Sequence, residues 1–290
     1  MRFSEIYKRS RVLSLEFFPP KAESGVPETL ALIERLAKLS PDFMTVTYGA
    51  GGGQRGAARE LVTFIRDTLK LVAVQHLTCS RHSTAEIDAI ADELIEDGIE
   101  HVLALRGDPV QGTSTFVAHP EGFSCARDLT KHLNARGQFS LAVAGYPETH
   151  REATSREADL AYLKEKVDAG AEVVITQLFF DNDFYFRFLD DLSPYNVAVP
   201  IVPGLMPIAN VAQVKRFTSL CGASIPPQVA AQLSRLEGDP EGVVQYGIDL
   251  ALEQGRALLE RGAPGLHLYT LNKSSQVEAI IRGLGLGGAR

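Results

Sequence analysis

Short apolar runs recur along the chain, at residues 12–17, 43–47, 71–77, 101–105, 140–144, 173–179, 200–205 and 265–269. Several are apolar almost without interruption, as strands covered on both faces are. Between them the period changes to that of helices. Ile87, Ile90, Ala91, Leu94 and Ile95 share one face that ends at Gly98, and Leu160, Leu163 and Val167 share another that ends at Gly170. Ser83 or Thr84 with Glu86 downstream, and Ser155 ahead of Glu157, supply capping groups at helix starts. Eight such alternations predict a parallel (β/α)8 TIM barrel as one catalytic domain over residues 1–290.

The seventh unit is longer than the rest. After an expected helix at 211–220, Pro226-Pro227 opens another. A third, over about 241–261, carries Val244, Ile248, Ala251, Leu252, Leu258 and Leu259 at helical spacing. This reads as an extra helical pair before the last strand, because no linker or low-complexity tract marks a second domain.

Composition narrows the partners more than the fold. With 45% hydrophobic and 22% charged residues a large core is available. A net charge of −7 without any Lys/Arg run makes nucleic acid a poor partner. Cys79, Cys125 and Cys221 are few, odd in number and far apart, which fits reduced thiols in the cytoplasm, with Cys79 and Cys221 read as buried packing residues. Met1-Arg2-Phe3-Ser4-Glu5 leads into charged sequence and the longest apolar runs are strand-sized, so neither an export signal nor a membrane span is expected.

In such a barrel chemistry sits where the strands end, and here the apolar runs end in polar residues. Glu16 is the sharpest case. A carboxylate flanked by Leu15, Phe17 and Phe18 is costly to desolvate, which favours its neutral form and suits a general acid. A glutamate satisfied by a lysine or by backbone amides is the plainer reading, and the strand alone favours neither. Arg106-Gly107-Asp108-Pro109 is first of all a strand-stopping turn, but Arg106 can also grip a phosphate and Gly107 allows close backbone approach. Gln177 places an amide that both donates and accepts at the mouth of an apolar strand, or else bonds the next loop. The run Gly49-Ala50-Gly51-Gly52-Gly53-Gln54 lacks the third glycine of a dinucleotide loop and reads as a loop that can still close over a ligand. His76, Cys79 and His82 have a zinc-like spacing without a second cluster, so no metal is expected, and His76 alone is more often a satisfied strand-end histidine. Phe179, Phe180, Phe184 and Phe217 are by default packing residues.

Seven of these segments, in order, resemble the methylenetetrahydrofolate reductase family: Glu16-Phe17-Phe18-Pro19-Pro20, Val46-Thr47-Tyr48-Gly49, His76-Leu77-Thr78-Cys79, Ala104-Leu105-Arg106-Gly107-Asp108, Tyr146-Pro147-Glu148, Thr176-Gln177 and Tyr269-Thr270-Leu271-Asn272. The match runs from about Ser14 to Lys273, and the length resembles the compact bacterial form. The resemblance implies a barrel that binds FAD, takes electrons from NADH or NADPH and reduces 5,10-methylenetetrahydrofolate to 5-methyltetrahydrofolate in a ping-pong scheme. It further implies a cytoplasmic homo-oligomer that supplies methyl groups for methionine synthesis.

Carried over by matched position, Glu16 would protonate N10 of the folate, and Asp108 would face flavin and pterin and stabilise the cationic intermediate. Gln177, Gln213, Phe217 and Lys273 would line the folate or nicotinamide pocket. Thr47, His76, Arg106, Gly107, Asp108, Ala126, Tyr146, His150, Asp159 and Lys166 match positions that hold FAD, with Arg106 and Lys166 facing phosphates and Asp159 a ribose hydroxyl. Two departures stand out: Lys273 occupies a position where many members have arginine, and the loop after the second strand is richer in glycine. The rival readings are a related barrel without flavin or with another electron donor, a non-redox one-carbon transferase, and a non-catalytic barrel.

Overall fold

The computed structural model describes residues 1–9, 11–48, 55–109 and 116–287. Among the described residues nine strands form one parallel sheet: β1 (Val12–Phe17), β2 (Phe43–Val46), β3 (Val72–Thr78), β4 (His101–Leu105), β5 (Ser140–Gly145), β6 (Ala171–Thr176), β7 (Ile201–Val202), β8 (Gly204–Leu205) and β9 (Gly265–Tyr269). Their order is β7-β6-β5-β4-β3-β2-β1-β9-β8. The two ends of that list are the halves of one strand, the seventh of the sequence reading, parted at Pro203. β7 pairs with β6 and β8 with β9, so the strand bridges the seam of an eight-unit TIM barrel. Proline has no N–H to give the ladder, but the Pro203 carbonyl still accepts from His267 N at 3.0 Å.

Among the described residues the α-helices are α1 (Phe3–Ile6), α2 (Val26–Ala37), α3 (Arg55–Asp67), α4 (Thr84–Glu96), α5 (Ala126–Ala135), α6 (Arg156–Asp168), α7 (Asn182–Leu192), α8 (Val211–Cys221), α9 (Pro227–Arg235), α10 (Pro240–Glu260) and α11 (Ser274–Gly283). Ser83 and Glu86 close a reciprocal capping box at the start of α4, and the Ser155 hydroxyl accepts from Ala158 N at the start of α6. The extra pair is α9 and α10, between α8 and the last strand. Among the described residues no helix is long and apolar enough to cross a membrane.

Three expectations need correction. The sixth strand ends at Thr176 instead of 179. Gln177 N still bonds the Gly145 carbonyl at 2.8 Å, after which the chain turns outward. Leu178 and Phe180 then join Met206, Ile208, Val214 and Val229 in a cluster under the extra helices, while Phe179 stays in the main core. The apolar run continues because both destinations are apolar. The buried face of α10 is Val243, Gly247, Ala251, Gln254, Gly255 and Leu258, one position off the expected Val244 at its start. A Cβ at Gly247 would stand 2.1 Å from the Ile208 carbonyl oxygen, so close backbone packing, which hydrophobic periodicity does not register, sets this face. Cys79 is buried, but Cys221 is only partly so.

Strand residues alternate between two cores. Leu13, Leu15, Met44, Val46, Val102, Ala104, Leu141 and Val143 pack outward against the helices. Val12, Phe43, Val74, Leu103, Ala142, Val173, Ile175 and Val202 fill the barrel interior together with Phe3 and Ile6, which α1 inserts as a plug. The inward positions one layer higher on β1, β2, β3 and β9 are polar: Ser14 and Glu16, Thr45, His76, and His267. These bear the site.

Closure at the seam leaves no room at Gly204, where an added Cβ would lie 2.4 Å from the Thr176 carbonyl oxygen and 2.7 Å from the Tyr269 ring. Gly204→Ala is expected to lower the unfolding free energy by about 3 kcal/mol, measured by urea denaturation; a change below about 1 kcal/mol would show that the seam is loosely packed.

Candidate active site at the carboxyl ends of the strands

Parallel register fixes the centre of the site. On β1 and β9, Ser14 stands opposite His267 and Glu16 opposite Tyr269. Glu16 is buried, and the partners of its carboxylate are imidazoles instead of the lysine or backbone amides of the plainer reading. Oε2 lies 3.2 Å from His267 Nε2 and 3.5 Å from His76 Nε2. His267 Nδ1 meets the Ser14 hydroxyl at 2.8 Å, and His76 Nε2 meets the Thr45 hydroxyl at 3.1 Å. Burial pulls the His76 pKa from 6.5 down to about 4, with the Glu16 carboxylate opposing and His267 adding to the shift. His76 is therefore a neutral ring at physiological pH.

The ends of β1 and β9 are also clamped above this centre. Asn272 accepts from Phe18 N at 3.1 Å and donates to the Phe18 carbonyl at 2.9 Å. Thr270 donates its hydroxyl to the Glu16 carbonyl at 2.6 Å. Leu271 and Asn272 adopt left-handed backbone (φ 49° and 53°), uncommon for non-glycine residues, so the turn that places the clamp is strained. Asn272 belonged to a recognised motif, but its role could not be read from sequence.

A second group gathers at the ends of β4 and β5 and on α6. Gly107 (φ 90°) turns the chain so tightly that a Cβ would sit 2.7 Å from Ser80 Cβ, and Asp108 beyond it is exposed. The Arg106 guanidinium lies 4.5 Å over the Phe116 ring and forks onto Glu152, with one of the two bonds at 2.9 Å. That carboxylate raises the pKa of Arg106, and Arg106 in turn lowers that of Glu152. Tyr146 and His150 pack edge to face with centroids 4.6 Å apart. Asp159 accepts from His150 N at 2.9 Å, which ties this loop to the first turn of α6. Lys166, on the same helix, is buried, and its Nζ donates to the Ala144 carbonyl at 2.5 Å. Burial pulls its pKa from 10.5 down to about 8 against the pull of the Asp159 carboxylate. Ala126 opens α5, behind a Cys125 that offers no side-chain cap.

The remaining candidates lie on other elements. Gln177 turns its Oε1 onto Leu178 N at 2.9 Å, so its NH2 is the end left for other contacts. Gln213 sits in the first turn of α8, whose start is capped by Asn210, and Phe217 follows one turn later, partly buried against the outer cluster. Lys273 is exposed at the start of α11. Thr47 continues the β2 ladder with N–H to the Phe17 carbonyl at 2.9 Å. The glycine-rich segment 49–54 lies outside the described residues. His76, Cys79 and His82 part company: His76 faces the barrel interior, Cys79 donates to the Arg106 carbonyl at 3.4 Å, and His82 pairs with the Tyr48 hydroxyl at 2.8 Å. Two residues without assigned roles join the loop after β5 to α8 and the segment that follows it. Glu148 accepts from Ser224 N at 3.0 Å, and Arg151 donates to the Ser219 and Leu220 carbonyls at 2.8 and 3.1 Å.

A profile of the methylenetetrahydrofolate reductase family matches residues 2–285. Among relatives, the 5,10-methylenetetrahydrofolate reductase of Escherichia coli is 38% identical over 94% of this chain and 90% of its own length. The methylenetetrahydrofolate reductase (NADH) 1 of Zea mays is 39% identical over 94% of this chain, which spans only 48% of that protein. Solved structures share the fold: an uncharacterised Clostridium thermocellum protein that binds two copies of 5-methyl-5,6,7,8-tetrahydrofolic acid (TM-score 0.64, 18% identity, 97% of this chain and 96% of that one). A Xanthomonas albilineans dihydropteroate synthase is more distant (TM-score 0.53, 11% identity, 95% and 92%).

Because His76 is neutral when folded but titrates at its ordinary 6.5 when unfolded, the unfolded chain binds more protons between pH 6.5 and 4. Stability should fall as pH drops through that window, and His76→Gln should make the fall shallower in urea midpoints taken at intervals across it. An unchanged slope would mean that His76 is charged in the fold.

Proposed function

This chain belongs to the methylenetetrahydrofolate reductase family, and from that membership and the geometry at the strand ends we propose that it reduces 5,10-methylenetetrahydrofolate to 5-methyltetrahydrofolate with FAD as its cofactor. The observation that carries the reading is a buried carboxylate, Glu16, on the first strand of a barrel whose fourth and fifth strands end in groups suited to a flavin dinucleotide. The donor set fits that cofactor. Arg106 is a ready phosphate fork. Lys166 is a buried ammonium whose hydrogen bond goes to a carbonyl, which suits a nearby anion. Asp159 can receive a ribose hydroxyl, Tyr146 and His150 form an aromatic wall, and Thr47, His76, Gly107, Asp108 and Ala126 complete the set carried over from the family. Bound there, FAD would supply hydride transfer from a nicotinamide to the folate. NADH is favoured as the donor, since it is the one named for the plant relatives.

The chain's own residues have separate tasks. Glu16, in its neutral form, gives a proton to N10 of the folate, which opens the five-membered ring to an iminium. Asp108, exposed just beyond the end of β4, would offset that positive charge. The Gln177 NH2 donates to the pterin, Gln213 and Phe217 on α8 border the folate or nicotinamide, and Lys273 meets the glutamate tail as a point charge in place of a fork. The product would supply methyl groups for methionine synthesis.

Glu16→Gln should keep flavin reduction by NADH while slowing reoxidation by methylenetetrahydrofolate about 10²- to 10⁴-fold, read from flavin absorbance in anaerobic stopped flow; normal folate turnover in that variant would overturn the assignment. Glu152→Gln should tighten FAD binding by up to about fivefold by releasing Arg106 from a half-exposed ion pair, measured by fluorescence titration of the apoprotein. Weaker binding would instead place Glu152 among the cofactor ligands.

A further inference from the structure

Both imidazoles that touch Glu16 touch the same oxygen. His267 Nε2 and His76 Nε2 converge on Oε2, while no described residue is hydrogen bonded to Oε1. His267 is fully buried and its ring is held on three sides. Nδ1 meets Ser14 Oγ at 2.8 Å, Tyr269 packs edge to face with centroids 5.1 Å apart, and Tyr269 is itself fixed by donating to the Thr176 carbonyl at 2.7 Å. Ser14 Oγ has a second acceptor in reach, the Leu266 carbonyl, but at 3.5 Å, so the Nδ1 lone pair is the better target for its proton. The Tyr7 hydroxyl of the barrel floor lies near Ser14 and has no partner of good geometry among the described residues.

We infer that Ser14 and His267 are positioning residues that fix the acidic proton of Glu16 on Oε1. The Ser14 hydroxyl donates to Nδ1 and thereby holds His267 in the Nε2–H tautomer. Nε2–H then donates to Oε2 whether Glu16 is neutral or ionised. An oxygen already accepting a hydrogen bond from a buried ring is a poor site for the carboxyl proton, which is left on Oε1. When the folate ring opens, the Oε1–H bond breaks and an N–H bond forms at N10. The bond from N10 to the bridging carbon breaks as the N5 lone pair forms a double bond to that carbon, with no change of oxidation state, and the carboxylate left behind keeps its Nε2–H donor. His76 contributes less: its Nε2 is shared between Oε2 at 3.5 Å and the Thr45 hydroxyl at 3.1 Å.

The inference rests on the proposed role of Glu16, so its test has one arm independent of turnover. In flavin-free protein labelled with 15N-histidine, His267 should show the Nε2–H tautomer by NMR, and Ser14→Ala should shift it toward Nδ1–H. In the holoenzyme, Ser14→Ala should leave flavin reduction by NADH unchanged and slow the folate half-reaction about tenfold. His267→Gln, which keeps an N–H donor at a different reach, should slow the same step alone. An Nδ1–H tautomer in the wild type, or an unslowed folate half-reaction in Ser14→Ala, would overturn the inference. A wild-type protein that cannot pass electrons to methylenetetrahydrofolate would instead refute the proposed function, with the tautomer still deciding the Ser14–His267 arrangement.

Discussion

The pairing of the first strand with the last is the constraint on which the site depends. Paired residues of β1 and β9 lie 253 positions apart in sequence yet run in parallel register, Val12 opposite Gly265 through Glu16 opposite Tyr269. At Gly265 the fit is so close that a Cβ would lie 2.0 Å from the Val12 carbonyl oxygen. A slip of β1 by one residue would send Ser14 and Glu16 to the helix side of the sheet, away from His267. The Asn272 clamp onto the Phe18 backbone and the Thr270 bond to the Glu16 carbonyl act at the top of the same pair, so the strain held in Leu271 and Asn272 secures the register where the chemistry is placed.

A barrel interior usually buries branched apolar side chains in layers. Here the lower layer follows that rule, with Val12, Phe43, Val74, Leu103 and Val202 under the α1 plug, and the layer above breaks it with a carboxylate, two imidazoles and two hydroxyls. Burying these groups is tolerable because they satisfy one another: Ser14 with His267, His267 with Glu16, Thr45 with His76. The second half of the site, around Arg106, Tyr146 and Lys166, is arranged differently. It holds cationic groups near the surface or just beneath it, suited to a large anionic ligand.

Much of this was legible in the sequence, for physical reasons that differ by element. Strands buried on both faces announce themselves as apolar runs, and the capped helices starting after Ser83 and Ser155 carry their signals locally. Pro203 splits the seventh strand without interrupting its hydrophobicity, so the run alone showed one strand. Gly247 against the Ile208 backbone and Gly255 against the Leu284 and Leu266 side chains define the buried face of α10 through close packing, a property periodicity does not register. Glu16 stood out as a charge in an apolar run. Ser14 and His267 did not, since each is a single polar residue in an apolar strand. The signal lay in the two-residue repeat, Ser14 with Glu16 and His267 with Tyr269, which puts all four on the inner face.

The pairing of the first strand with the last sets an order on assembly. Until residues 265–269 have been made, β1 has a neighbour on one side only, and its other edge presents open backbone beside a carboxylate and a serine awaiting partners. Such an edge invites pairing with another chain. A nascent or truncated molecule therefore has both an open edge and an unpaired polar cluster, and a single late event, docking of β9, removes both together. Quality control that recognises open sheet edges would thus also be selecting for a paired Ser14–His267–Glu16 cluster.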